Sequence, residues 1–158
     1  MFAYFCYLYN LLSGWGKKPA LPEGIERCVV IVAPHTSNFD LVHMLGAFAM
    51  YGLPLRFAIK KSWTKVPYGW IMKPLGAIGI DRKPKNAGEK RKSVVEAMVN
   101  LFDEHEELIV AIAPEGTRSL RENWKTGFYH VAKQANIPIM LGYLNYEKKE
   151  AGIGKVIM

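Results

Sequence analysis

Five short apolar runs, at residues 28–33, 55–59, 77–80, 108–113 and 137–143, are separated by stretches in which apolar residues recur at helical spacing. Runs of this length without polar alternation suit strands buried on both faces, the habit of parallel sheets. Leu41, Val42, Leu45, Phe48 and Ala49 hold one face of a helix, with Asp40 in its first turn and Gly52-Leu53-Pro54 ending it. Val94, Val95, Met98, Leu101 and Phe102 repeat the spacing, as do Trp124, Phe128, Val131, Ala132 and Ala135. Strands alternating with helices predict an α/β fold, a largely parallel or mixed central sheet flanked by helices. With 158 residues the chain supports one domain with a real core.

Pro19-Ala20-Leu21-Pro22 divides an aromatic leader, residues 1–18, from a single domain at 19–158. The leader carries Phe2, Tyr4, Phe5, Tyr7, Tyr9 and Trp15, with Lys17 and Lys18 behind them. It is shorter than the roughly 20 apolar residues of a membrane-spanning helix. Aromatics backed by lysines suit a membrane interface, and a core helix packed on the sheet is the competing reading. No basic segment precedes the leader and no small-residue cleavage motif follows it, so a secretory signal is not expected.

Half of the residues are apolar, which excludes a disordered chain. Cys6 and Cys28 offer neither a disulfide framework nor metal-ligand spacing, and both read as reduced thiols. The net charge of +7 is regional: residues 54–93 hold eleven Lys or Arg against two acidic residues. Such a patch suits anionic lipid, phosphorylated small molecules or acidic partners. Nucleic acid is not the expected partner, because the region shows no recognisable binding module and few aromatics.

The first strand runs into Ala33-Pro34-His35-Thr36-Ser37-Asn38-Phe39-Asp40. This places a titratable base at the carboxyl end of a buried strand, where open α/β sheets hold their ligands. Imidazole titrates near neutral pH and can take a proton from a hydroxyl, while a neighbouring carboxylate fixes its tautomer. Ser37, Asn38 and Asp40 also suit plain helix capping, so the pair alone leaves both readings open. Two further strand ends carry arginines: Gly76-Ala77-Ile78-Gly79-Ile80-Asp81-Arg82, and Ala113-Pro114-Glu115-Gly116-Thr117-Arg118-Ser119. Guanidinium forks bind phosphate oxygens in pairs, Gly116 permits close backbone approach, and the Thr117 hydroxyl can add a hydrogen bond. Glu115 could orient an arginine or accept from a substrate hydroxyl.

In order, His-x4-Asp, Gly-x2-Gly-x-Asp-Arg, Pro-Glu-Gly-Thr-Arg and Ile137-Pro138-Ile139 resemble the four blocks of the glycerophospholipid acyltransferase family, which includes the 1-acylglycerol-3-phosphate acyltransferases. The resemblance runs from about Val30 to Leu141. It implies His35 as general base, Asp40 as its partner, and Arg82, Glu115, Gly116, Thr117 and Arg118 as acceptor-binding residues. It further implies acyl transfer from a coenzyme A or acyl carrier protein thioester to a lysophospholipid hydroxyl. The implied setting is the cytoplasmic face of the inner membrane, with the protein held peripherally and no bound cofactor or metal.

The implied chemistry agrees with the residues. A glycerol hydroxyl is a poor nucleophile at neutral pH, and the thioester is already activated. No serine stands in a Gly-x-Ser-x-Gly elbow, which favours direct transfer over an acyl-enzyme. Pro34 stands where many members have Asn, the fourth block lacks its common second proline, and the chain is short for the family. These departures leave open another acceptor, such as an amino-lipid or glycerol phosphate, and a non-catalytic lipid- or phosphate-binding module on the same scaffold.

Overall fold

Cys28, Val30 and Val32 pack on one face of the sheet and Val29 and Ile31 on the other, all of them buried. A strand with both sides apolar must sit between two layers of helices, and the computed structural model places it so. It describes residues 2–17, 24–80, 93–119 and 121–158. In chain order the elements are α1 (Phe2–Leu12), β1 (Gly16–Lys17), β2 (Arg27–Val32), α2 (Phe39–Met50), β3 (Leu55–Lys60), α3 (Gly69–Met72), β4 (Ala77–Ile80), α4 (Val94–Asp103), β5 (Leu108–Ile112), α5 (Gly127–Ala135), β6 (Ile139–Asn145) and β7 (Glu150–Ile157).

The sheet has the order β1-β7-β6-β2-β5-β3-β4. Strands β2 to β6 run in one direction, while β7 pairs antiparallel with β6 and β1 parallel with β7. The mixed sheet flanked by helices is the α/β architecture expected from the alternation of strand and helix patterns. Right-handed crossovers explain the layering. The chain leaves β2 in one direction to reach β3, placing α2 on one face with Met44, Leu45 and Phe48 in its core. It travels the opposite way from β4 to β5 and from β5 to β6. Helices α4 and α5 therefore cover the other face, with Met98, Phe102, Val131 and Ala132 buried there.

Adjacent strands β2 and β5 thus send their connections in opposite directions. Their carboxyl ends diverge into a crevice, the position at which doubly wound sheets bind ligands. Registered pairs from Arg27 with Leu108 to Ile31 with Ile112 hold the two ends level.

One face of the leader packs in the core, and its other face is exposed. Helix α1 docks on α2 through Cys6 and Asn10, and Trp15 behind it is buried in the same core as β2. The contact is close because residue 46 is glycine. A methyl group there would stand 2.5 Å from the Cys6 carbonyl oxygen and collide with the Asn10 amide. Tyr4, Phe5, Leu8, Leu11 and Leu12 on the other face are exposed. The expected boundary between residues 18 and 19 lies outside the described residues.

Elsewhere the structure shifts ends and adds one strand. Ser93 starts α4 with a capping box: its hydroxyl accepts from the Glu96 amide at 3.1 Å, and the Glu96 carboxylate accepts from the Ser93 amide at 2.6 Å. Helix α5 begins at Gly127, so Trp124, expected on its apolar face, lies before it and is half exposed. Residues 150–157, which show no clear element in sequence, form β7, with Ala151 and Ile153 buried. Two glycines and two charged residues weaken its own signal, and pairing with β6 supplies what the local pattern lacks. Among the described residues no helix is long and apolar enough to cross a membrane.

Candidate active site

The site is built on the carboxyl ends of three neighbouring strands, β6, β2 and β5. After β2 the chain makes a short loop that carries His35 and turns into α2, whose second residue is Asp40. Asp40 is buried, yet its carboxylate is well supplied with donors. Oδ2 accepts from His35 Nδ1 at 3.0 Å, from the Thr36 amide at 2.7 Å and from the Ser37 amide at 2.9 Å. Oδ1 accepts from the Tyr146 hydroxyl at 2.5 Å. Burial by itself raises the carboxyl pKa, but the bonds from Tyr146, the two amides and His35 outweigh it, holding Asp40 below its ordinary 3.8. The aspartate is therefore a fixed anion at neutral pH.

His35 Nδ1–H points at that anion, which leaves Nε2 with a lone pair. The imidazole is partly exposed, its side chain 28% accessible against 3% for Asp40, so the base opens toward solvent while its partner is sealed beneath it. This is the arrangement of an oriented general base. The backbone of His35 is secured from β5: its amide donates to Glu115 Oε2 at 3.0 Å, and Glu115 is itself buried. Glu115 is thus engaged with the histidine loop, where sequence suggested an arginine or a substrate hydroxyl as its partner.

The loop after β5 completes the crevice. Gly116 has φ +63, a left-handed conformation in which a side chain is strained, and the Lys125 side chain packs against its open face. Thr117 Oγ1 accepts from the Ser119 amide at 3.3 Å. Arg118 Nη1 donates to Asn38 Oδ1 at 3.0 Å, which joins the β5 loop to the histidine loop. His35, Asp40, Glu115, Gly116, Thr117 and Arg118 are accordingly brought to one rim. Arg82 lies outside the described residues; its strand β4 ends at Ile80 on the sheet edge, separated from β5 by β3. Among the described residues no group of three or more His, Cys, Asp and Glu comes together as a metal site.

The sequence profile described as Acyltransferase matches residues 17–140. The chain belongs to the acyltransferase family. No curated protein and no solved structure gives a significant match. The oriented imidazole, the buried anion and the Arg-bearing turn stand together on one rim of this acyltransferase.

The acyltransferase domain also holds residues that the sequence did not single out. Tyr146 follows β6 directly, the same strand-end position that drew attention to His35 and Glu115. Behind Asp40 lies His43 on α2, buried, with Nδ1 donating to Asn10 Oδ1 at 2.9 Å while the Asn10 amide donates to the His43 carbonyl at 3.0 Å. Trp15 stacks on His43 at 3.8 Å between ring centroids. Helical periodicity concealed this residue, because an imidazole on the inner face of α2 reads as an interruption of the apolar stripe.

Burial lowers the His43 pKa from its ordinary 6.5, and the nearby Asp40 charge offsets only part of that effect. Below about 6.5 the unfolded chain therefore binds a proton at His43 that the folded chain resists, so stability falls as pH drops. The depressed Asp40 adds a second loss as pH falls below 3.8, where the unfolded carboxyl protonates before the folded one. Urea midpoints measured between about pH 7 and pH 5 should decline in the parent protein and decline less steeply in His43→Asn. Equal slopes would assign the decline to other groups.

Proposed function

We propose that this acyltransferase moves a fatty acyl group from an acyl thioester to the free hydroxyl of a lysophospholipid, with 1-acyl-sn-glycerol 3-phosphate as the preferred acceptor. The donor is acyl-coenzyme A or acyl-acyl carrier protein. The observation that carries the reading is the His35 imidazole, tied through Nδ1 to a buried anion and set 80 residues away in sequence from the Glu115 carboxylate that accepts its backbone amide. Nε2 takes the proton from the acceptor hydroxyl as its oxygen attacks the thioester carbonyl. The tetrahedral intermediate then collapses with cleavage of the C–S bond, and the departing thiolate receives the proton from the imidazolium. Asp40 steadies that imidazolium, and Arg118 holds the acceptor phosphate at the rim with Thr117 and the Gly116 turn beside it. Arg82 is assigned to the same phosphate by its motif.

A base in hydrogen-bond reach contributes about 10²–10⁴ in rate. His35→Ala should therefore lower turnover by about that factor while leaving the fold intact, read as thiol release together with ester formation on 1-acyl-sn-glycerol 3-phosphate. A folded variant that transfers at the parent rate would refute the assignment.

Membrane attachment belongs to the same reading, as a peripheral contact at the cytoplasmic face of the inner membrane. Phe5 and Leu12 on α1 are 64% and 79% exposed. A second segment interleaves exposed Trp63, Val66, Trp70 and Ile71 with exposed Lys61, Lys65 and Lys73. Aromatic residues beside lysines suit the headgroup region of an anionic bilayer. Because Cys6, Asn10 and Trp15 serve the core, the informative variant is Phe5→Ser with Leu12→Ser rather than removal of the leader. Its co-sedimentation with phosphatidylglycerol vesicles should drop with no loss of thermal stability. Undiminished binding would remove α1 from the membrane contact.

A further inference from the structure

Asp40 divides its two oxygens unequally. Oδ2 receives three donors, from His35 and the amides of Thr36 and Ser37, all within one short loop. Oδ1 receives the Tyr146 hydroxyl, from a residue 106 positions away on another strand end. Two amides can pin one oxygen, but the plane of the carboxylate also depends on what holds the other. That plane sets how squarely Oδ2 meets His35 Nδ1–H.

The Tyr146 ring is itself seated rather than loose. It meets Trp15 edge-on at 5.1 Å and His43 edge-on at 5.5 Å, and those two rings are stacked on each other. Asn10 of α1 clamps His43 from behind through two hydrogen bonds. The chain of contacts therefore runs from the leader helix through an aromatic wall to the hydroxyl on Asp40. Burial and the Asp40 charge raise the phenol pKa far above its ordinary 10, so the hydroxyl stays a donor at any working pH.

We propose that Tyr146 is a positioning residue for the His35–Asp40 pair: its hydroxyl fixes the carboxylate plane from the β6 end, and the leader fixes Tyr146. The inference rests on the acyl-transfer reading for its kinetic consequence and on geometry alone for the link to Asp40. The apolar run at 137–143 ends before the tyrosine, which stands among polar and charged neighbours.

Tyr146→Phe removes the hydroxyl and keeps the ring. The chain contains three aspartates, Asp40, Asp81 and Asp103, so carboxyl carbon resonances of a 13C-aspartate-labelled full chain resolve Asp40, with Asp40→Asn as the assignment control. Among the described residues the titratable groups facing Asp40 are His35, His43 and Tyr146, and the first two are unchanged in this variant. The Asp40 midpoint should move up. Turnover with acyl-coenzyme A and 1-acyl-sn-glycerol 3-phosphate should fall about tenfold while KM for the acceptor stays within about twofold, as expected for losing one hydrogen bond to a charged group in the catalytic step. An unmoved Asp40 midpoint, unchanged turnover, or a loss carried by KM would overturn the proposal. If Tyr146→Phe does not fold, Trp15→Phe loosens the ring's seat while retaining the hydroxyl. A smaller upward shift of the Asp40 midpoint is then expected, and none would overturn the link. A parent protein that transfers acyl groups to no acceptor would instead refute the preceding subsection, and the Asp40 midpoint would still decide the hydrogen bond.

Discussion

The buried Asp40 carboxylate organises the site, because the chain must bring donors to it from two strand ends to keep it charged. Removing a carboxylate from water costs several kcal/mol even after relaxation. Hydrogen bonds to a charged group return about 1.5–3 kcal/mol each. Four such bonds reach Asp40, from His35, Thr36, Ser37 and Tyr146, and their sum prevails over burial, as the depressed pKa records. Three of the donors stand in the loop that joins β2 to α2, and the fourth stands at the end of β6. The anion is consequently a fastening between elements as well as a partner for the imidazole.

The sheet order makes this fastening possible. Because β2 lies between β6 and β5, its carboxyl end is flanked on one side by Tyr146 and on the other by Glu115 and Arg118. The connections of β2 and β5 leave in opposite directions, so α2 and α5 cover opposite faces of the sheet and the loops meet between them. The leader contributes from underneath: Gly46 admits α1 close to α2, and Asn10 and Trp15 then hold His43 against the aromatic wall. An apolar face of the same helix is left exposed.

Much of this was legible in sequence because it rests on local patterns. Apolar runs at 28–33 and 108–113 mark buried strands by composition alone, and the rule that ligands gather at strand ends directs attention to His35 and to the Glu115–Arg118 turn. The remainder depends on pairings made only in the folded chain. Strand β7 carries two glycines and becomes a strand by pairing with β6, and without it Tyr146 reads as the start of a tail. The partner of Glu115 is a backbone amide, which no side-chain motif announces. Likewise His43 is sheltered by Asn10, 33 residues earlier, so its role in the core has no local signature. Applying the strand-end rule to β6 as well would have pointed to Tyr146.

The central claim is that the Asp40 anion, and not merely the shape of its side chain, enables His35 to act as the base. Asp40→Asn tests it most directly, since the amide preserves size but lacks the charge and one acceptor. With a parent-like thermal transition as the control, turnover of acyl-coenzyme A with 1-acyl-sn-glycerol 3-phosphate is predicted to fall by at least about 10², the lower end of what a general base contributes. Parent-like turnover in the folded variant would contradict the account.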